Sequence, residues 1–200
     1  MTTSLHTNTP SSKAIILLHE IYGINNHINR TCAQWKKIGF EVYTPKLYPH
    51  SNAFDYSQQE TAYQHFMTMS GFNSAKIENL MYELKKKHKT LLVVGYSVGA
   101  TLAWLAARSG YCDGVICYYG SRIRDYCDIA PPCPTLVLIA RHEKSFNTIA
   151  MKQQLQILPN VYCTLFDASH GFCDADSPSF DPIMADKVSE KINWFIENMC

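Results

Sequence analysis

The sequence predicts an α/β fold, with a mostly parallel β-sheet covered by helices on both faces. Short apolar runs alternate along the chain with segments whose apolar residues recur at helical spacing. Each candidate strand is a near-continuous apolar run, as expected for parallel strands that are buried on both faces. The chain has 200 residues, 46% of them hydrophobic and 18% charged, which suits one globular domain with a sizeable core.

In the first half of the chain, Gly and Pro residues separate three predicted strands from three predicted helices. The strands are residues 13–19, 40–44 and 90–94, and the helices are residues 26–38, 58–69 and 74–87. Residues 46–57 lack a clear periodicity and are predicted to form a loop near the strand ends. The aromatic side chains of residues 47–56, together with Tyr22, are candidates to line an apolar or aromatic pocket.

The second half of the chain repeats the alternation. The predicted strands are residues 114–119, 134–140 and 161–166, and the predicted helices are residues 100–108 and 146–158, followed by a last helix that opens at Asp181-Pro182. The apolar stripe of the last helix is Met184, Val188, Ile192, Phe195 and Met199. Polar residues 1–12 are predicted to be a flexible tail, followed by a single domain at 13–200.

Composition and charge exclude several classes of function. Eighteen basic and seventeen acidic residues leave a net charge of +1, so nothing indicates a nucleic-acid or membrane partner. The longest apolar runs are too short to span a bilayer. The eight cysteines form no Cys-x-x-Cys pair, and no two histidines have ligand spacing on one element, so we expect neither metal nor cofactor. Residues 1–12 do not resemble a signal peptide, so we expect reduced thiols and a cytoplasmic location.

The sequence Gly95-Tyr96-Ser97-Val98-Gly99 lies between a predicted strand and a predicted helix. In that context Gly-x-Ser-x-Gly is typical of a nucleophile elbow, a sharp turn that leaves the serine hydroxyl exposed above the sheet. Gly95 and Gly99 lack the side chains that would collide where strand and helix meet. Ser97 is therefore the candidate nucleophile.

Polar residues after later strands supply candidates for a base and an acid. In parallel sheets, active residues follow the carboxyl ends of the strands. His170 follows the last strand and is the candidate base, and Glu143 follows the strand before it and is the candidate acid. His142 is interpreted as a loop residue. The aspartates that compete with Glu143 for the acid role are Asp125, Asp128, Asp174 and Asp176.

An oxyanion that forms on a substrate needs hydrogen-bond donors that are fixed in advance. The backbone N–H of Val98, at the start of the elbow helix, is one expected donor. The N–H of Ile21, in the loop after the first strand, is the other.

Three motifs together resemble the dienelactone hydrolase family. They are His19-Glu20-Ile21-Tyr22-Gly23-Ile24-Asn25, the elbow around Ser97, and Ser169-His170-Gly171-Phe172. The resemblance extends over nearly the whole chain. It implies an α/β-hydrolase fold without a lid domain, which cleaves an ester or lactone through an acyl-enzyme without metal or cofactor. It also implies an accessory role for Glu20, whose counterpart is linked to activation of a thiol.

The chain departs from the family pattern at three places. Ser97 occupies the elbow position where the dienelactone-cleaving members have cysteine. Glu143, in Ala140-Arg141-His142-Glu143, replaces the usual aspartate of Gly-x-x-Asp. Cys173-Asp174 follows His-Gly-Phe, where those members have an arginine for the substrate carboxylate, which argues against an anionic lactone. Arg122 would substitute for that arginine only if its loop turned inward.

The sequence therefore predicts a serine hydrolase that cleaves a carboxylic ester or lactone of a small molecule, with Ser97, Glu143 and His170 as its triad. Two alternatives remain open. One is a non-catalytic module that binds a small ligand on a hydrolase fold. The other is a thioesterase or peptidase that uses the same triad. The substrate and the oligomeric state do not follow from the sequence.

Overall fold

A computed structural model describes residues 12–49 and 53–199. The tail predicted for residues 1–12 lies, except for Ser12, outside the described residues. The strands are β1 (Lys13–Leu18), β2 (Glu41–Tyr43), β3 (Thr90–Tyr96), β4 (Gly114–Tyr118), β5 (Thr135–His142) and β6 (Val161–Ser169). They form a sheet in the order β2-β1-β3-β4-β5-β6, and every pairing is parallel. The predicted α/β fold is confirmed.

The helices are α1 (Asn26–Lys37), α2 (Gln59–Met69), α3 (Ala75–Lys85), α4 (Val98–Ala107), α5 (Thr148–Leu155) and α6 (Pro182–Asn198). Side chains of Asn25, Asn147 and Asp181 accept hydrogen bonds from backbone N–H groups in the first turns of α1, α5 and α6. Short 3-10 helices occupy Tyr56–Gln58 and Ser121–Tyr126, and neither was predicted. No helix in the described ranges is long and apolar enough to cross a membrane.

Strands β3, β5 and β6 extend beyond their predicted ends, and the extensions of β5 and β6 place two candidate residues. The pairing of β5 with β6 shifts register between Ala140 and His142, and both strands then continue, so that His142 pairs with Ser169. The irregularity carries β5 to the residue before Glu143, and β6 to the residue before His170. Both candidate side chains therefore leave the sheet directly from strand ends.

Hydrophobic cores lie on both faces of the sheet, because alternate residues of each strand point in opposite directions. Ile16 and Leu18 of β1 belong to the core on the face with α2, α3, α4 and α5, whereas Ile15 and Leu17 belong to the core with α1 and α6. All ten residues of α4 are buried. The helix that begins beside Ser97 is thus enclosed on all sides.

Gly95 and Gly99 allow the elbow to pack closely against the sheet. A Cβ atom on Gly95 would lie 2.2 Å from the carbonyl oxygen of Gly99, and one on Gly99 would lie 2.5 Å from the carbonyl oxygen of Leu18. Each neighbour is backbone and cannot rotate away. The spacing of the motif thus follows from close approach of α4 to β3 and to the end of β1.

Replacing Gly99 with alanine should therefore destabilise the protein. The new methyl group would push α4 away from β1, and such overpacking costs about 2–4 kcal/mol, or a fall in Tm of roughly 4–16 °C. Gly114→Ala is the matched control, since its Cβ would meet the flexible end of Met199, 2.7 Å away, which can move. Thermal unfolding of both variants would show the contrast. Equal Tm losses would contradict the close-packing argument.

Candidate active site

Ser97 occupies the turn between β3 and α4. Its backbone has φ 53° and ψ −112°, in the left-handed half of conformational space that residues other than glycine rarely adopt. Its N–H donates to the carbonyl oxygen of Tyr118 at 2.9 Å, and its own carbonyl accepts from the N–H of Thr101 at 3.2 Å. These bonds to β4 and α4 hold the strained turn with the hydroxyl at the sheet edge.

The structure places Ser97, His170 and Glu143, the three candidate triad residues, in one hydrogen-bonded series. Nε2 of His170 lies 2.9 Å from Oγ of Ser97, and Nδ1 lies 2.6 Å from Oε1 of Glu143. Burial lowers the pKa of His170, but the hydrogen bond and charge of Glu143, with the charge of Glu20, outweigh burial and raise it above 6.5 overall. The carboxylate thus orients the imidazole and favours its protonated form.

Three of the four competing aspartates, Asp125, Asp174 and Asp176, have other partners. Asp125 pairs with Arg122, whose Nε lies 2.8 Å from its carboxylate, and Asp176 pairs with Arg30 at 2.8 Å. Asp174 is fully buried and contacts His27 rather than His170, with 3.4 Å between Nδ1 and Oδ1. Among the carboxylates of the described ranges, Glu143 is the one that hydrogen-bonds to His170.

The predicted oxyanion donors both line the cavity at Ser97. The N–H groups of Ile21 and Val98 have no hydrogen-bond acceptor within the described part of the chain. The N–H of Gly23 donates to the carbonyl oxygen of Glu20 at 3.2 Å. This hydrogen bond shapes the loop that carries Ile21. Two uncommitted backbone donors therefore open onto the space above the serine.

Glu20 is a buried carboxyl group behind the triad. Its side chain accepts a hydrogen bond from the hydroxyl of Tyr119 at 3.2 Å, and the ring of Tyr119 lies 4.9 Å from that of His170. Burial raises the pKa of Glu20 to about 7; the charge of His170 opposes the increase and that of Asp174 adds to it. Glu20 therefore changes its charge near neutral pH, next to the candidate base.

Glu20→Gln should change how stability depends on pH. A carboxyl group with a raised pKa binds its proton more tightly in the folded state, so wild-type stability falls between about pH 4.5 and 7. Glutamine keeps the shape and cannot ionise. The free energy of unfolding of the variant minus that of wild type should be about 3 kcal/mol larger at pH 8 than at pH 5. Urea unfolding at both pH values measures this, with the exposed carboxylate variant Glu190→Gln as control. A difference that does not vary with pH would contradict the burial argument.

One group of described residues has donor atoms close enough together to hold a metal ion. The ligand atoms of Glu20, His27 and Asp174 lie within 4.8 Å of one another, and all three residues are buried. Asp174 already accepts hydrogen bonds from the hydroxyl of Tyr56 and the N–H of Asp176. Because these donors occupy its oxygens, the group fits a buried hydrogen-bonded network better than a metal centre.

A cavity of about 780 Å³ opens above Ser97. Three tyrosines line one part of it, namely Tyr22, Tyr56 and Tyr63, and basic side chains line another, namely Arg122, Arg124, His142 and Lys144. Of the aromatic loop predicted to form a pocket, Tyr56 reaches the cavity, while Leu47 and Tyr48 are buried in the core. The loop that carries Arg122 does turn toward the cavity. His142 was interpreted as a loop residue, but it is the last residue of β5, and it lines the cavity too.

Sequence reasoning assigned no supporting role to three residues behind the site, although His19 belongs to the first motif and Asp174 was a candidate acid. His19, Tyr119 and Asp174 are all buried, at 1%, 2% and 0% exposure. His19 directly follows β1 and Tyr119 directly follows β4, and that position was the available signal; Asp174 lies two residues after Phe172. Their contacts depend on distances across the fold.

Comparisons with known proteins found relatives of this chain among sequences and solved structures. A model of the dienelactone hydrolase family matches residues 2–199. An uncharacterised Bacillus subtilis protein, YczH, is 34% identical over 171 residues, which is 84% of each chain. A carboxymethylenebutenolidase of a Pseudomonas species is 23% identical over 184 residues, covering 84% of this chain and 77% of that one. The crystal structure of a provisionally assigned dienelactone hydrolase from Klebsiella pneumoniae superposes with a TM-score of 0.75 at 19% identity, over 94% of this chain and 88% of that one.

Proposed function

The chain belongs to the dienelactone hydrolase family, and on that premise we propose that it is a serine hydrolase that cleaves a carboxylic ester or lactone of a small molecule. The observation that carries the proposal is the hydrogen-bonded series from Oγ of Ser97 through His170 to Glu143, at 2.9 and 2.6 Å. The same three residue types in the same contacts define serine hydrolases on several folds.

In the proposed reaction, Nε2 of His170 takes the proton of the Ser97 hydroxyl as Oγ attacks the substrate carbonyl carbon. The N–H groups of Ile21 and Val98 would stabilise the resulting oxyanion. Collapse of the intermediate breaks the ester bond, and His170 returns the proton to the departing alcohol oxygen. His170 then deprotonates a water molecule that attacks the acyl carbonyl, and it passes that proton to Oγ of Ser97 as the acyl–Oγ bond breaks, which releases the carboxylic acid and restores the free enzyme.

Glu143 would hold the imidazole in the correct tautomer and stabilise its cation. Glu20 would act as an accessory carboxyl group, because its charge near His170 changes around neutral pH. With a serine nucleophile, its effect would pass through His170 instead of through a thiol.

The substrate class rests on two features. The Pseudomonas relative is named carboxymethylenebutenolidase, which supports a lactone or ester. Cys173 and the buried Asp174 follow His-Gly-Phe and do not line the cavity, so the side chain that would hold a carboxylate on such a substrate is Arg122, whose loop faces the cavity. The proposed setting is the cytoplasm, since buried thiols such as Cys112 and Cys133 persist in a reducing compartment.

A fluorophosphonate probe tests the proposal directly, because it reacts with serine hydroxyls that a base activates. We expect folded wild-type protein to acquire one label, located on Ser97 by peptide mass spectrometry, and heat-denatured protein to acquire none. Folded protein that remained unlabelled would instead support a non-catalytic ligand-binding module.

A further inference from the structure

His19 is a buried histidine at the end of β1 that contacts no part of the proposed triad. It is 1% exposed and is absent from the cavity lining. Its Nδ1 lies 2.6 Å from the carbonyl oxygen of Glu20, and its Nε2 lies 3.1 Å from the backbone N of Leu47. The N–H of Leu47 can only donate, so Nε2 accepts and the proton of the neutral ring is on Nδ1. In this tautomer, His19 thus hydrogen-bonds to two loops, one through each ring nitrogen.

The carbonyl that His19 binds belongs to the peptide unit that carries the proposed oxyanion donor. The C=O of Glu20 and the N–H of Ile21 share one planar trans peptide and point in opposite directions. Fixing the carbonyl oxygen on one side therefore fixes the direction of the N–H on the other. The Gly23 N–H also donates to this oxygen, at a longer 3.2 Å, and the Tyr48 hydroxyl donates to the next carbonyl, that of Ile21.

We propose that His19 is a positioning residue, which orients the Glu20–Ile21 peptide as an oxyanion donor by donating from Nδ1 to the Glu20 carbonyl oxygen. This inference rests on the proposed function. The imidazole itself is held in place by the Leu47 N–H and by the edge-to-face contact with Tyr48, whose ring centroid is 5.3 Å away. Ile21 thereby points its N–H at the cavity before any substrate binds, so no reorganisation is needed during the reaction.

The two hydrogen bonds of His19, to Glu20 and from Leu47, are kept over the neutral pH range. Burial lowers the pKa of His19 to about 4, although the hydrogen bond to the Glu20 carbonyl partly offsets this effect. The ring therefore stays neutral above about pH 5, with Nε2 free to accept. If the group that orients the Ile21 N–H changed its charge near neutral pH, that orientation would weaken there. His19 does not change its charge in that range, so the orientation is kept.

Two substitutions separate the two hydrogen bonds of His19. In His19→Asn, the amide nitrogen takes the place of Nδ1 and can donate to the Glu20 carbonyl, but the side chain is too short to reach Leu47. In His19→Gln, the amide oxygen can accept from the Leu47 N–H, but no donor stands at the Nδ1 position. Asparagine should keep kcat within about 5-fold of wild type, whereas glutamine should lower kcat about 10- to 100-fold.

The decrease in kcat should leave KM nearly unchanged, because the donor acts mainly on the transition state. Binding of a trifluoromethyl ketone, which forms an oxyanion adduct with the serine, should weaken in parallel with kcat/KM across the variants. Phe66→Leu is the control for loosened packing, since Phe66 lies beneath Tyr48, 6.4 Å between centroids, and outside the site. It should lower Tm and leave kcat at 25 °C unchanged.

Each outcome of this experiment is decisive. Folded His19→Gln protein with kcat within 3-fold of wild type would overturn the positioning role. So would an equal loss of kcat in the glutamine, asparagine and Phe66→Leu proteins, which would indicate a merely structural effect. Failure of the proposed function looks different, because wild-type turnover would then survive Ser97→Ala or be absent altogether.

Discussion

Ser97→Ala should lower kcat for p-nitrophenyl acetate by about 10⁴- to 10⁶-fold, because it removes the atom that forms the acyl-enzyme in the proposed reaction. KM should change little, since alanine occupies the same turn and leaves the cavity intact. Residual turnover would come from the N–H groups of Ile21 and Val98 and from binding alone. Stopped-flow measurement on the wild type should also show a burst of p-nitrophenol, which the variant lacks.

Two controls make the Ser97 result specific. The Tm of Ser97→Ala should equal or exceed that of wild type, which excludes unfolding as the cause. Ser189→Ala, on the exposed side of α6, should keep wild-type kcat. If the Ser97 variant hydrolysed the ester at the parent rate, acyl transfer to this serine would have to be abandoned.

Glu143→Gln should lower kcat about 10³- to 10⁴-fold and shift the pH profile. The amide can donate to Nδ1, which favours the wrong tautomer, so Nε2 of His170 would carry a proton and could not accept one from Ser97. The variant also removes the Glu143 charge and hydrogen bond that raise the pKa of His170. Activity requires neutral His170, so the acid limb of kcat/KM should move to lower pH.

The pH shift identifies the acid independently of the rate. Asp167→Asn is the matched control, because Asp167 is a carboxylate at the same sheet edge that pairs with His142 at 3.0 Å and does not contact His170. Its acid limb should coincide with that of wild type. A Glu143→Gln protein within 10-fold of wild-type kcat, with an unmoved acid limb, would refute Glu143 as the partner of His170.

The triad residues were predictable because a parallel sheet gathers its strand ends at one edge. Ser97, Glu143 and His170 each follow a strand, so their proximity required only the alternation of strands and helices. The extension of β6 past Phe166 was not predictable in this way. Asp167 and Ser169 are exposed and polar, and they interrupt the apolar pattern that marks the rest of the strand. Similarly, the 3-10 helix Ser121–Tyr126 is too short to show a periodicity.

The residues that support the site could not be identified from local patterns. Tyr119 reaches both Glu20 and His170 because its backbone adopts φ 40° directly after β4, and nothing in its neighbours' identities specifies that angle. The pairing of His19 with Leu47 spans 28 positions of the chain. Such contacts depend on how helices and loops pack against one another. The sequence of a single element does not reveal them.

The complete burial of α4 determines where this enzyme can diversify. The helix that follows Ser97 belongs to the most protected part of the fold, so its amides should exchange with solvent only through global unfolding. Residues of Tyr56–Gln58, α2 and Ser121–Tyr126, by contrast, line the cavity, and we expect those that face it to tolerate replacement. Laboratory evolution toward new substrates should therefore accumulate its changes in these walls, while the reactive turn and its helix stay fixed.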